Sequence, residues 1–253
     1  MDRARRHADA ESSLTASCPR MATLIAKVGP CGLSPEGELT AERHFEGLIR
    51  AIVSQQLSTK AAATIFERVL TLASTKLPGP TGANRVDLPG APRPGFPAPA
   101  ALLAIPELEL RAAGLSGAKT ASVRDLAAKI VSGAVRLDTV SSLPDDGVIE
   151  ALCQVRGIGR WTAEMFLMFR LGRADVLPIG DLGIQKGMMT LFSLRKLPTP
   201  ERMRALARPW QPYRSIACWY LWRLGDMKAP AGAVPDPVRR SAAKAPAARK
   251  KPR

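Results

Sequence analysis

Residues Ala151 to Gly187 read ALCQVRGIGRWTAEMFLMFRLGRADVLPIGDLGIQKG, and this stretch decides the fold. Val148, Ile149 and Leu152, following a Pro144-Asp145 start, have helical spacing, and that helix is expected to end near Gln154. A tight turn then carries Gly157-Ile158-Gly159, a second helix is expected from about Thr162, and a Pro/Gly loop delivers Asp181. Two glycines one residue apart permit positive φ and close approach of another chain, so the turn can point bare N–H groups outward. Amides at the start of the following helix add to them, because the first turn has unpaired donors and a partial positive charge. Arg156 and Arg160 flank the turn, so the anion that suits it is a phosphate carried on a polymer. No strand precedes the glycines, which sets aside P-loop and Rossmann readings. The same glycines would serve equally in an αα-corner, where they only permit close packing.

Upstream, Phe45, Leu48, Ile49, Ile52 and Val53 fall at i, i+3, i+4, i+7 and i+8, one buried helix face. Ser54-Gln55-Gln56-Leu57-Ser58 interrupts that stripe, and Ser58 can cap a further helix with Ala62, Ile65, Phe66, Val69 and Leu70 inward. Residues 1 to about 20 are polar, mixed in charge and without a stripe, which reads as a flexible leader. Met21 to Val28 is a short apolar helix stopped by Gly29-Pro30. The Pro- and Gly-rich run from Leu77 to Pro99 reads as a surface loop. Helical patterns resume with Leu102, Leu103 and Leu108, stop at Gly114, and restart after a Ser116 cap with Val123, Leu126, Ala127 and Ile130 inward. Downstream, Thr162 to Leu171 is apolar nearly all round. Pro200 and Pro212 suit first helical positions, and the last helix carries Ile216, Ala217, Tyr220, Leu221 and Leu224 up to Gly225. No segment alternates with strand period. The expectation is an all-α chain of roughly eight to ten helices, a body over residues 21–228 and a basic disordered tail over 229–253.

Composition narrows the partner. The chain has 253 residues, 46% of them hydrophobic, and a net charge of +15, which calls for a polyanion or an acidic surface. The stretch from Ala229 carries seven basic residues against Asp236 alone, so +9 of the +15 lies elsewhere. A solvated tail therefore does not account for the excess. No run of eighteen apolar residues exists, so no membrane span is expected, and the N-terminus lacks the apolar region of a secretory signal. The expected place of action is the cytoplasm, at the nucleoid in a bacterium, or the nucleus in a eukaryote. Cys18, Cys31, Cys153 and Cys218 are scattered without a C-x-x-C, so neither a zinc site nor a disulfide framework is indicated and the side chains offer no metal site.

VRGIGRWTA resembles the helix-hairpin-helix motif, and its pairing with the downstream PIGDLG resembles the helix-hairpin-helix DNA glycosylase superfamily, in particular its 3-methyladenine DNA glycosylase II group. The likeness runs from about Phe45 to Leu224. It implies two helical lobes, with the hairpin and Asp181 at the mouth of the cleft between them, and a monomer acting on double-stranded DNA that contains damaged bases. Cleaving a purine's N-glycosidic bond develops positive charge on the sugar, as in glycoside hydrolysis. A carboxylate near C1′ can stabilise that charge and orient the attacking water. The resemblance gives this role to Asp181; on position alone Asp181 is a helix N-cap. Relatives that also cut the sugar–phosphate chain place a nucleophilic lysine directly after the hairpin's Gly-x-Gly-Arg. Here that position is Trp161, so the chain resembles the monofunctional branch.

By the same likeness Trp161 and Trp222 are walls of the base pocket, where indoles suit a cationic alkylated purine; as plain structure they are core tryptophans. Met165 stands where the bacterial relative has a tyrosine. Gln56, with Gln55 beside it, matches the wedge that fills the gap left by a flipped base, or the pair simply solvates a helix break. Gly157, Ile158, Gly159 and Arg160 form the phosphate-binding hairpin. Lys119 and Arg214 are further phosphate or structural contacts. No iron–sulfur cluster can be built from these cysteines, whereas a monovalent cation is held in the family by hairpin carbonyls, which leave no side-chain signature. The implied activity is excision of alkylated purines such as 3-methyladenine. A glycosylase for oxidised or deaminated bases and a non-catalytic helix-hairpin-helix DNA-binding protein are the alternatives.

Overall fold

The structure, a computed structural model, describes residues 3–34, 40–76 and 96–227. The described residues contain twelve α-helices and no strand, the all-α class expected. The helices are α1 (Arg3–Ser17), α2 (Pro19–Val28), α3 (Ala41–Ser54), α4 (Thr59–Lys76), α5 (Pro99–Ala104), α6 (Glu107–Ala112), α7 (Gly117–Val131), α8 (Asp145–Cys153), α9 (Arg160–Met165), α10 (Leu182–Leu191), α11 (Pro200–Ala207) and α12 (Arg214–Asp226). A π-helical turn, Phe166–Arg170, continues α9, closed by a Leu171 N–H donated five residues back to the Phe166 carbonyl. The expected loop over Leu77–Pro99 falls mostly outside the described residues, as does the basic tail.

Two helical lobes result. In the first, α3 packs on α4 and α7, α5 and α6 lie on α7, and α6 touches α4. Phe45, Leu48, Ile49, Ile52 and Val53 of α3 are buried as their spacing required, each worth about 1.5–3 kcal/mol of apolar burial before entropy is counted. Thr40 caps α3 and Ser116 caps α7, each accepting an amide N–H three residues on. Pro106 divides the 99–112 region into two short helices, and Leu108 points to solvent at 77% exposure while Leu110 takes the inward place.

The second lobe joins the two ends of the chain. Here α1 packs on α2 and α12, α2 lies against α12, and α10 crosses α12. The segment expected to be a flexible leader is thus α1 and the start of α2, a correction with a clear physical basis. Ala10, Leu14 and Cys18 sit four apart and are buried, a stripe one residue wide that only neighbouring helices make useful. The Glu11 carboxylate accepts the Tyr220 hydroxyl of α12 at 2.8 Å and the Cys31 amide at 2.6 Å. Burial, and then the Glu11 carboxylate, push the Tyr220 phenol far above its ordinary range. Pro200 takes the first position of α11 under a Thr199 cap. Pro212 instead precedes α12 by two residues, after a cis peptide.

The crossing of α10 and α12 depends on Gly187. A Cβ there would lie 2.8 Å from Leu221 Cβ and 2.9 Å from its carbonyl oxygen, so only glycine permits this approach. The approach brings the first residues of α10 beside Trp222 on α12.

Candidate active site

Asp181 is the N-cap of α10, and its Oδ1 accepts the Ile184 amide at 2.8 Å. The cap reading is therefore true, but it is incomplete. Oδ1 also accepts the Trp222 indole N–H at 3.1 Å, and Oδ2 accepts the Trp161 indole N–H at 2.8 Å. Three N–H donors from three segments converge on one carboxylate that is 2% exposed, so both of its oxygens are held by hydrogen bonds. The two tryptophans are partners of Asp181 as well as candidate pocket walls.

The hairpin lies between α8 and α9. Gly157 has φ +78° and its Cβ position is 2.5 Å from Ser122 Oγ, so it must be glycine. Gly159 does not share this constraint: its φ is −101° with extended ψ, it is the N-cap of α9, and nothing lies within 4 Å of its Cβ position. The Ile158 side chain is buried and its amide closes the turn onto the Val155 carbonyl, so it offers no outward donor. The Arg156 amide is likewise engaged, by Asp125 Oδ2 at 2.7 Å. Gly157, Gly159 and the first residues of α9 remain as the amides that can face a phosphate. Arg160 is 61% exposed on this edge, with Nε on Glu164 at 3.0 Å. Glu164, buried beneath it, has its carboxyl raised by burial, with Arg160 opposing and the Asp181 charge adding to the rise.

A cleft of about 340 Å³ opens between α3 and α4 on one side and α9 with its π-helical turn on the other, lined by Leu48, Ala51, Phe66, Met165 and Phe169 among others. Met165 is on the wall of this cleft. Trp222 is not an open wall: it is 4% exposed and stacks on Phe169, ring centroids 5.7 Å apart at 20°. Phe169, on which it stacks, lines the cleft together with Phe66 and Phe166. The sequence held that signal, since Trp161, Met165 and Phe169 lie at i, i+4 and i+8 on one helix face.

Arg170 also lines the cleft. It donates Nε to the buried His44 Nδ1 at 3.2 Å, and burial, then the Arg170 charge, lowers the His44 imidazole to about 4.

The glutamine turn links α3 to α4. Gln56 is exposed in the left-handed conformation, φ 59°, at its apex. Gln55, expected beside it as a wedge, reaches across the surface to the hairpin and donates Nε2 to the Gly157 carbonyl at 2.9 Å. Lys119 and Arg214 are structural contacts: Lys119 Nζ donates to the Val53 carbonyl at 2.7 Å, and Arg214 grips Asp175 at 2.7 and 2.9 Å. Cys18, Cys31 and Cys218 are buried thiols and Cys153 is exposed. Burial pushes Cys31 up to about 11.

A family model described as HhH-GPD superfamily base excision DNA repair protein matches residues 49–212. The alkylbase DNA glycosidase-like protein mag2 of Schizosaccharomyces pombe is 30% identical over 216 residues, covering 85% of this chain and 92% of that protein. Among solved structures, the S. pombe 3-methyladenine DNA glycosylase Mag1 in complex with abasic DNA is similar at a TM-score of 0.67 and 32% identity, covering 86% of this chain and 97% of that one. The DNA-3-methyladenine glycosidase of Bacillus halodurans is similar at 0.69 and 31%, covering 85% and 88%.

Proposed function

This chain belongs to the HhH-GPD superfamily of base excision DNA repair proteins, and from that premise we propose that it is a monofunctional DNA glycosylase that removes alkylated purines such as 3-methyladenine, as a monomer on damaged duplex DNA. The observation that carries the reading is the grip of Ile184, Trp161 and Trp222 on the Asp181 carboxylate. A merely structural N-cap needs one amide donor. Two additional indole donors fix both oxygens of the carboxylate, which is preorganisation for a developing cation.

The hairpin amides of Gly157 and Gly159 and the start of α9 seat a backbone phosphate, a contact that positions the duplex without reading sequence. Gln56 at the apex of its turn enters the stack as the damaged nucleotide swings out. The base is received in the cleft between Met165 and Phe169. As the bond from C1′ to the base nitrogen breaks, the electron pair leaves with the base and positive charge grows on the sugar. Asp181 faces that charge. Water adds its oxygen to C1′ and gives up a proton, for which Asp181 Oδ2 keeps a free lone pair beyond its bond to Trp161. The products are free base and an abasic site. A mag-type relative has been solved with abasic DNA, which accords with this outcome.

The residue after Gly157-Ile158-Gly159-Arg160 is Trp161, so the site supplies no amine there for a Schiff base. A monovalent cation at the hairpin would coordinate to the Val155 and Gly157 carbonyls, each of which accepts one N–H and keeps a second lone pair, and would add positive charge beside the seated phosphate.

The test is to incubate the pure protein with methylated duplex DNA. Release of methylated purines with the strand left intact until alkali is added is the expected result. Binding without release would leave the non-catalytic alternative standing, and release of oxidised or deaminated bases alone would assign a different lesion class.

A further inference from the structure

Helix α7 carries two functional parts of the molecule on one side. Lys119, Ser122 and Asp125 follow one another at three-residue spacing, so they share a face of the helix. Lys119 Nζ reaches the Val53 carbonyl at the C-terminal end of α3, one turn before Gln56. Ser122 Oγ fills the space that a side chain at Gly157 would need. Asp125 accepts the Arg156 amide and is itself held by Lys129 at 2.6 and 2.7 Å. Burial opposes the Asp125 charge, but Lys129 and the Arg156 amide keep its carboxyl below the usual range. The glutamine turn and the hairpin thus rest on the same rail, and Gln55 closes the triangle by donating Nε2 to the Gly157 carbonyl, 102 residues away in sequence.

The chemistry of these contacts is selective. A cation at the end of α3 meets carbonyls that have no intrahelical partner and the negative end of the helix dipole. Gln56 holds φ 59°, a conformation that costs free energy in a non-glycine residue and persists only where its surroundings fix it. The turn is pinned twice on the approach to Gln56: Val53 before it by Lys119, and Gln55 within it by the hairpin.

We propose that Gln55 and Lys119 are positioning residues that hold Gln56 in register with the phosphate seated on the hairpin, so that seating the backbone and filling the base stack occur at a fixed distance from each other. The proposal rests on the wedge role assigned to Gln56. Gln55 acts through Gln56 and through the Gly157 carbonyl, without touching the base. Lys119 acts through Val53, and its ammonium contributes to positioning, with no contact to DNA.

The measurement is the rate of base unstacking, followed by 2-aminopurine fluorescence next to a single 7-methylguanine in a duplex, together with single-turnover release of that base by the full-length protein. Gln55→Ala removes one neutral hydrogen bond and is expected to slow both rates about fivefold; Lys119→Met removes a charged one and is expected to slow them about tenfold or more. Affinity for undamaged duplex should stay unchanged in Gln55→Ala, and Lys119→Arg, which keeps a charged donor, should restore most of the rate. The decisive comparison is with Gln56→Ala: adding Gln55→Ala to it should cost nothing further, because two residues acting through one step are not additive.

Full multiplication of the two losses would show Gln55 to be independent of the wedge and overturn the proposal. So would Gln55→Ala at wild-type rates while Gln56→Ala is slow, which leaves the wedge reading intact. Gln56→Ala at wild-type rates would overturn both. If Lys119→Met melts early, Gln55→Ala decides alone, since that side chain lies at the surface of the turn.

Discussion

Replacing Asp181 with Asn separates a cap from a charge. Asn is as good an N-cap as Asp, so the Ile184 amide keeps its acceptor in the variant. The structure shows what else changes. Oδ1 receives Ile184 N at 2.8 Å and Trp222 Nε1 at 3.1 Å, while Oδ2 receives Trp161 Nε1 at 2.8 Å. A carboxamide has one oxygen, and keeping it on Ile184 and Trp222 turns the NH2 group toward the Trp161 donor. One charge-assisted hydrogen bond is lost, a ground-state cost of about 1.5–3 kcal/mol. The transition state loses more, because the neutral amide no longer opposes the charge on the sugar. A preorganised electrostatic contribution of about 4 kcal/mol corresponds to roughly a thousandfold in rate. The assay is single-turnover release of methylated purines at saturating protein, with thermal melting and duplex affinity recorded for the same preparation. Expected are a rate about a thousandfold lower, a modest loss of stability, and unchanged or tighter binding. A folded Asn variant that releases base within tenfold of the wild type would refute the reasoning and leave Asp181 as a cap.

The two hairpin glycines should respond differently. Gly157→Ala sets a Cβ 2.5 Å from Ser122 Oγ at φ +78° and is expected to lower both stability and affinity for any duplex, whereas Gly159→Ala, with φ −101° and nothing within 4 Å, is expected to fold normally, so that loss of duplex affinity in a protein of unchanged melting temperature reports its amide contact with phosphate. Borohydride added during the reaction should trap no covalent protein–DNA adduct, because Trp161 stands at the position of the nucleophilic lysine; a trapped adduct would overturn the monofunctional assignment. His44 is held at about 4 against an ordinary 6.5, so its neutral form is favoured by the fold. That contribution, up to about 3 kcal/mol, is present above about pH 6.5 and is lost as pH falls toward 4. Denaturant unfolding of His44→Gln should accordingly show a shallower loss of stability across that window than the wild type.

What the sequence made legible is local. The hairpin announces itself through two glycines and the periodicity on either side, and the α3 stripe through five apolar residues in register. The interpretation weakened wherever the deciding partner lies far along the chain. Spacing placed Trp222 on the last helix, yet only the crossing at Gly187 and Leu221 aims its indole N–H at Asp181. Nothing local distinguishes Gln55 from Gln56. The first points to a carbonyl 102 residues away and the second to solvent, and the choice is made by the backbone turning left-handed at Gln56. Glycines were over-read in one respect: Gly157 needs its positive φ and Gly159 does not.

The N-terminal segment is the largest departure, and its placement carries a consequence for the active site. Asp181 is seated by α10, α10 is fixed by its crossing with α12, and α12 is tied to α1 through Tyr220 and Glu11. Helix α1 is therefore three contacts from the carboxylate. Deleting residues 1–17 removes the buried Leu14 and Ala10, strips the Tyr220 hydroxyl of its Glu11 acceptor, and exposes the faces of α2 and α12 that α1 covers. Burial of Leu14 alone is worth about 1.5–3 kcal/mol, and leaving the buried Tyr220 hydroxyl with only the Gly29 carbonyl in place of the charged Glu11 acceptor adds about 1 kcal/mol. For a domain of this size, a loss of about 3–5 kcal/mol lowers the melting temperature by roughly 10 °C. Base release by the truncated protein should fall at temperatures well below its melting point, because α10 is no longer held against α12. Glu11→Gln, which keeps an acceptor for the Tyr220 hydroxyl, should retain most of the rate. A truncated protein with wild-type melting temperature and wild-type release would show that residues 1–17 are dispensable, and that the lobe containing Asp181 is complete without α1.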